Sequence, residues 1–176
     1  MSHDHDVNVQ DPAVGDGLLV EEEGYQVADR CPCASESGHI RWFLEGEEKV
    51  GSLSFPRQAT LAKEWDDTGE IWWWFGRRIS ASDLRIGYER LPQWLRGNGH
   101  KAPERVSYAG KRYHLVGTSE PSGDESSDPD TVTLTLWEYA DSDDIDNILI
   151  ERSDEGELSI YHGAYYDPSD LLIRSH

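Results

Sequence analysis

The chain has 176 residues, enough to bury a core as one or two small domains. It carries 35 Asp and Glu against 16 Lys and Arg, a net charge of −19, and only two cysteines, Cys31 and Cys33. Two cysteines one residue apart exclude a disulfide scaffold. With no apolar run of membrane-spanning length and no signal-peptide pattern in residues 1–15, the sequence reads as a soluble, cytoplasmic protein.

Only four of the basic residues are Lys; twelve are Arg. An acidic, Lys-poor surface on an otherwise ordinary globular composition resembles proteins of salt-loving organisms. There the Debye length shrinks to about 3 Å at 1 M salt, so self-repulsion is screened. The competing explanation is a surface made for a basic partner.

Taken in order, residues 1–16 show no periodicity and read as a mobile acidic tail, in which His3 and His5 are incidental. A first β unit spans 17–87. Its strand candidates are 18–20, 25–28, 39–44 and 50–55, each bounded by Gly, Glu or Pro, with Ile40, Trp42 and Leu44 on one apolar face. Residues 56–66 read as an insertion, with a helical turn over one end. The most informative stretch follows, because the chain contains it twice. Across residues 67–86 and 154–173, Asp67, Gly69, Glu70, Gly76, Ser82, Asp83, Leu84 and Ile86 meet Asp154, Gly156, Glu157, Gly163, Ser169, Asp170, Leu171 and Ile173. A single shift of 87 thus explains eight identities in 20 positions, and self-similarity at a fixed period marks a duplicated structural unit. Asp-x-Gly-Glu supplies a turn. Ile71, Trp73 and Phe75 then share one face of a strand, as do Leu158, Ile160 and His162. Ser-Asp-Leu-x-Ile reads as a second turn, with Asp83 or Asp170 bonding local N–H groups.

Residues 88–104 form a connector with a short helix over 89–96, Pro92 near its start and Gly97-Asn98-Gly99 at its end. Charge inverts here: residues 77–105 hold seven Lys and Arg against three Asp and Glu, a local net of +4. A second β unit spans 105–176. A hairpin turns at 109–111, residues 121–130 form a polar loop, 132–139 alternate strictly as a strand, and 140–147 are an acidic turn. The fold class is therefore all-β: two homologous meander units forming small barrel-like or sandwich-like halves, joined by a short helical connector.

Four motifs carry a resemblance: Tyr-x-Gly-x-x-Tyr-x-Leu-x-Gly (108–117), Leu-Trp-Glu-Tyr (136–139), Leu-Ile-Glu (149–151) and Gly-Glu-Leu-x-Ile-Tyr-x-Gly (156–163). With them the second unit resembles the prokaryotic family called domain of unknown function 4178. The first unit, with residues 39–44 and 70–74, resembles a more divergent copy. The resemblance implies a β-rich accessory domain with no established catalytic residues, encoded near membrane-associated or polyamine-related proteins, which points to a membrane-associated protein as one candidate partner.

No nucleophile motif, phosphate loop, dinucleotide fingerprint or zinc-protease motif is present. Cys31-Pro32-Cys33 lacks the second pair that a four-cysteine zinc site needs, and a Cys-x-Cys bridge is strained, so the bland reading is two thiols at a strand end. Asp141-Ser-Asp-Asp-Ile-Asp-Asn147 invites a calcium reading, but it lacks Gly at the sixth loop position and has Arg152 at the twelfth. These readings point to a non-catalytic binding module without cofactor or metal. The alternative is an enzyme, or a binder of sugars or planar rings that uses an aromatic surface. The expected partner-binding residues are Trp72 and Trp74, standing opposite the apolar face of their strand, with Arg77, Arg78, Arg85 and Arg90; the competing reading has the indoles buried between the units or beneath 56–66, and the arginines paired with acidic residues of the second unit. The partner expected is another protein. Nucleic acid is disfavoured, since a chain at −19 repels it at long range.

Overall fold

The computed structural model describes residues 11–31, 39–119 and 134–175. The described residues form thirteen strands and one α-helix. The first seven strands are β1 (Gly17–Val20), β2 (Glu23–Arg30), β3 (His39–Val50), β4 (Leu53–Trp65), β5 (Ile71–Ile79), β6 (Arg85–Ile86) and β7 (Glu89–Arg90). Helix α1 (Leu91–Gly97) follows, then β8 (Arg105–Tyr108), β9 (Lys111–Ser119), β10 (Leu134–Ala140), β11 (Asn147–Ser153), β12 (Leu158–Tyr166) and β13 (Leu171–Arg174). No helix among the described residues is long and apolar enough to cross a membrane.

The described residues fall into two compact units. Unit 1 holds 11–31, 39–75 and 165–175; unit 2 holds 76–119 and 134–164. Strand β5 passes from unit 1 into unit 2 after Phe75, and β12 passes from unit 2 into unit 1 after Ala164. In unit 1 the strand order is β13-β1-β2-β3-β4-β5; in unit 2 it is β12-β11-β10-β9-β8-β6-β7. The all-β class is as the sequence indicates, with antiparallel pairing (for example β1–β2, β3–β4 and β10–β11) and a helical connector. Closed barrels are not found, since the strand order does not return on itself; within each unit the sheet curls, so that Tyr25 of β2 meets Phe75 of β5 and Tyr113 of β9 meets His162 of β12.

Unit 1 packs Leu18, Val27, Trp42, Leu44, Leu61 and Phe75 into its core. Trp42 and Trp73 stack at 5.9 Å between ring centroids, an arrangement worth about 0.5–1.5 kcal/mol beyond area burial. Unit 2 packs Leu84, Val106, Trp137, Tyr139, Ile150 and Ile160, with Leu91 and Leu95 of α1 added from above. Pro92 stands in the first turn of α1, where its missing N–H costs nothing.

The alternation expected of β5 is present on the core side, where Trp73 and Phe75 are buried in unit 1. The turns differ in detail. Ser80 and Asp167, not Asp83 and Asp170, cap the two short 3-10 turns at 81–83 and 168–170, each side chain accepting from the backbone N–H two residues on. Residues 53–65 are one continuous strand, so the expected insertion with a helical turn is absent; of the expected strand 50–55, Val50 ends β3, 51–52 are the turn and 53–55 begin β4 at the tip of the β3–β4 hairpin. Beyond the pair Glu45↔Gln58 this hairpin is exposed on almost every residue, leaving Val50, Leu53 and Phe55 at 57%, 61% and 48% exposure.

Candidate functional site

The six residues expected to bind a partner are divided between the units. Trp72 and Trp74 belong to unit 1 and the four arginines to unit 2. The two indoles do not form a shared platform: Trp72 is 38% exposed, but Trp74 is buried at 5%. Arg77 is half-buried, close enough to help hold His162 neutral, and Arg78 is exposed; both have interaction partners within the chain.

Arg85 and Arg90 are placed differently. They are direct cross-strand partners on β6 and β7, and both are exposed. Arg85 is also the partner of Ser107 on β8, which pairs with Arg112 on β9. Directly opposed residues share a sheet face, so Arg90, Arg85, Ser107 and Arg112 form one transverse row. Two residues along the same strands, hence on the same face, Arg105 pairs with His114. None of Arg85, Arg90, Arg105 and Arg112 makes an ion pair or side-chain hydrogen bond among the described residues. Four guanidinium groups on one face, unpaired among the described residues, are unexpected in a chain at −19. Tyr88, at the turn between β6 and β7, is fully exposed beside them. The turn holds it out because Gly87, at φ 62°, takes the left-handed conformation.

The local fold makes this face basic. Along β9 the side chains alternate, so Arg112 and His114 point one way while Lys111 and Tyr113 point the other. The core-side Lys111 is neutralised: its Nζ lies 2.7 Å from both Asp141 and Asp146. Those bonds push the Lys111 pKa up and the Asp141 pKa down. Asp141 also accepts from the N–H groups of Ile145 and Asp146. The ammonium thus occupies the position where a calcium reading of this loop puts the cation.

A second polar cluster lies on the core side of unit 2. Tyr113 Oη and His162 Nε2 are 3.3 Å apart, and the Tyr108 ring is 5.1 Å from the imidazole. Burial lowers the His162 pKa and raises that of Tyr113. Unit 1 has a counterpart in which a phenylalanine takes the place of the histidine, with Tyr25 and Phe75 packed edge-on at 5.4 Å, as Tyr113 and His162 pack edge-on at 6.2 Å. The histidine therefore stands where a packing residue stands in the other unit, and core packing accounts for it.

Two shallow grooves lie elsewhere among the described residues. One, of about 630 Å³, runs between Tyr25 on β2 and the base of the β3–β4 hairpin. Arg57 crosses it, paired with Glu23 at 3.1 Å and lying over the Tyr25 ring at 5.6 Å. The other, of about 500 Å³, is bordered by His100, Arg152 and the turn 153–156. Cys31 is disulfide-bonded, not a thiol, and Cys33 lies outside the described residues, as do His3 and His5. Among the described residues no group of three or more His, Cys, Asp or Glu is arranged to hold a metal.

Sequence reasoning named Arg85 and Arg90 as candidates but did not bring in Arg112, His114 or Tyr88, which the register sets beside them. The signal was available: the alternation Arg112-Tyr113-His114 beside a tight hairpin puts both basic residues on one face. Comparison with protein-family models, with curated proteins and with solved structures found no match.

Proposed function

We propose that this chain is a non-catalytic binding module whose partner is an acidic segment of another protein, held on the basic face of unit 2. The observation that carries the reading is the row Arg90, Arg85, Ser107 and Arg112, with Arg105 and His114 beside it and no carboxylate among the described residues paired to its arginines. Arg presents a planar fork that takes carboxylates bidentately, and exposed Tyr beside Arg is the composition of interface hot spots. Tyr88 supplies the exposed ring.

Dimensions favour a short acidic segment over nucleic acid. Four strands at about 4.8 Å spacing make the row about 15 Å wide, and two residues along a strand add about 7 Å. That area accommodates a few acidic side chains. Residues 77–112 hold nine Lys and Arg against three Asp and Glu, so the rest of the chain is more negative than −19 and repels a long polyanion outside this patch.

Charge reversal tests it. Binding of a fluorescent Glu/Asp-rich peptide and of a 20-base-pair duplex is compared between the native chain and Arg85→Glu/Arg112→Glu. The reading expects peptide binding in the native chain, at least tenfold weaker in the variant, with an unchanged melting temperature. Equal peptide binding by both chains, or preference of the native chain for the duplex, contradicts it.

A further inference from the structure

The interaction inferred here is between the first strand of one structural copy and the last strand of another, and it does not depend on the basic face. The internal repeat in the sequence has a structural counterpart far longer than the repeat itself. At the shift of 87, β5 (71–79) matches β12 (158–166) end to end, and the 3-10 turn 81–83 matches 168–170. The turns before these strands also match. Asp66 N–H and Ser153 N–H donate to the carbonyls of Glu70 and Glu157, and Gly69 and Gly156 both have φ 85°.

The correspondence continues where the sequence shows none. The β1–β2 hairpin pairs Leu18 with Tyr25, and the β8–β9 hairpin pairs Val106 with Tyr113, each around a two-residue turn with positive φ at both positions. Glu21-Glu22 has φ 49° and 70°, and Ala109-Gly110 has φ 50° and 79°. Each second strand then slips register, between Val27 and Asp29 in β2 and opposite Glu138/Tyr139, between Leu115 and Gly117, in β9. Trp42 pairs with Leu61 in unit 1 as Trp137 pairs with Ile150 in unit 2, and all four are buried. The copies differ in hairpin length: ten or more residues form the exposed β3–β4 arm, where β10 and β11 have a short turn.

The end of each copy departs from its own unit. After the first 3-10 turn, β6 pairs not with β1 but with β8, the first strand of the second copy. After the second, β13 pairs with β1, the first strand of the first copy. The cores record the same crossing: Leu84 is buried at 0% in the unit 2 cluster, and its repeat counterpart Leu171 at 4% in the unit 1 cluster.

We infer that the chain is two copies of one structural unit that have exchanged their last strands, and that the edge of the first strand in each copy is a docking site for the last strand of another copy. Exchange of an identical element between protomers is a low-cost route to dimers. Here the protomers share one chain, and the capped 3-10 turns at Ser80 and Asp167 are the hinges over which the strands leave.

Hydrogen exchange followed by mass spectrometry on the full chain tests the crossing. Leu84→Asp is expected to lower protection at least a hundredfold in β8–β11 and to spare β1–β4; Leu171→Asp is expected to do the reverse. If each lesion opens the copy that contains it in sequence, the exchange is wrong. Should an Asp variant unfold the whole chain, Leu84→Ala and Leu171→Ala take its place, and uniform loss in both units then overturns the inference as well. Equivalence of the donated pieces has its own test. Ser80→Asp/Ala81→Pro/Arg85→Leu gives residues 80–86 the sequence of 167–173. Unit 2 is expected to keep its protection within threefold, and collapse of β8–β11 alone contradicts the equivalence.

Discussion

Arg85 and Arg90 face one another directly across β6 and β7, two like charges side by side on an exposed surface with no carboxylate between them. Like charges opposed across a ladder are destabilising by about 0.2–1 kcal/mol. A pair kept at that cost fits a face selected for an external anion rather than for the stability of the fold. Arg90→Glu turns the repulsion into a cross-strand pair. We expect it to raise the melting temperature by one or two degrees while weakening the acidic peptide, and a fall in melting temperature would show that Arg90 supports the fold.

Thr60 supports a buried guanidinium in unit 1. Its hydroxyl accepts from Arg41 Nη2 at 2.9 Å and donates to the Trp42 carbonyl at 3.1 Å, with Thr60 at 0% and Arg41 at 5% exposure. Thr60→Val keeps the shape and removes both bonds, leaving a charged donor short of an acceptor. We expect a loss of about 1–3 kcal/mol in denaturant unfolding, against the near-neutral change typical of a surface threonine.

Acid should weaken the fold from pH 6.5 downward. Burial, with Arg41 adding to it, lowers the His39 pKa to about 4, and burial also lowers that of His162. Both imidazoles stay neutral in the folded chain below pH 6.5, while the unfolded chain takes up protons. Stability is therefore fully present above the unfolded value and falls with pH through the window down to the folded values. His162→Phe copies the Phe75 of the other unit and removes one of the two groups. Its stability relative to the native chain is expected to improve steadily between pH 7 and 5, and parallel profiles would show that His162 does not titrate in this way.

Salt should stabilise. At net −19 the chain repels itself in dilute buffer, where the Debye length is about 30 Å at 0.01 M, and much less at 1 M, where it is about 3 Å. Melting temperature is expected to climb between these concentrations of potassium chloride. A flat profile counts against adaptation to salt and returns the acidity to a partner-binding role.

Much of the fold was legible because its signals are local. Gly69 and Gly156 mark turns that only a positive φ closes easily, and the alternation through Trp73 and Phe75 fixes which face is buried. The hairpin turn at Glu21-Glu22 was not legible, since two glutamates at positive φ carry none of the usual Gly or Asn signal. Nor was the burial of Trp74, which depends on what covers the second face of β5 and not on strand period. The basic face was half legible. Arg85 and Arg90 lie in a basic run, but Arg112 joins them only through the register of β6, β8 and β9, a non-local pairing that no local pattern encodes.

The basic face is tested most directly by titrating the isotopically labelled chain with a Glu/Asp-rich peptide and following its amide and arginine side-chain resonances. The account predicts shifts concentrated at Arg85, Tyr88, Arg90, Arg105, Ser107 and Arg112, fading as salt is raised. Shifts centred on Trp72 or on the β3–β4 arm, or none at any salt concentration, would contradict it.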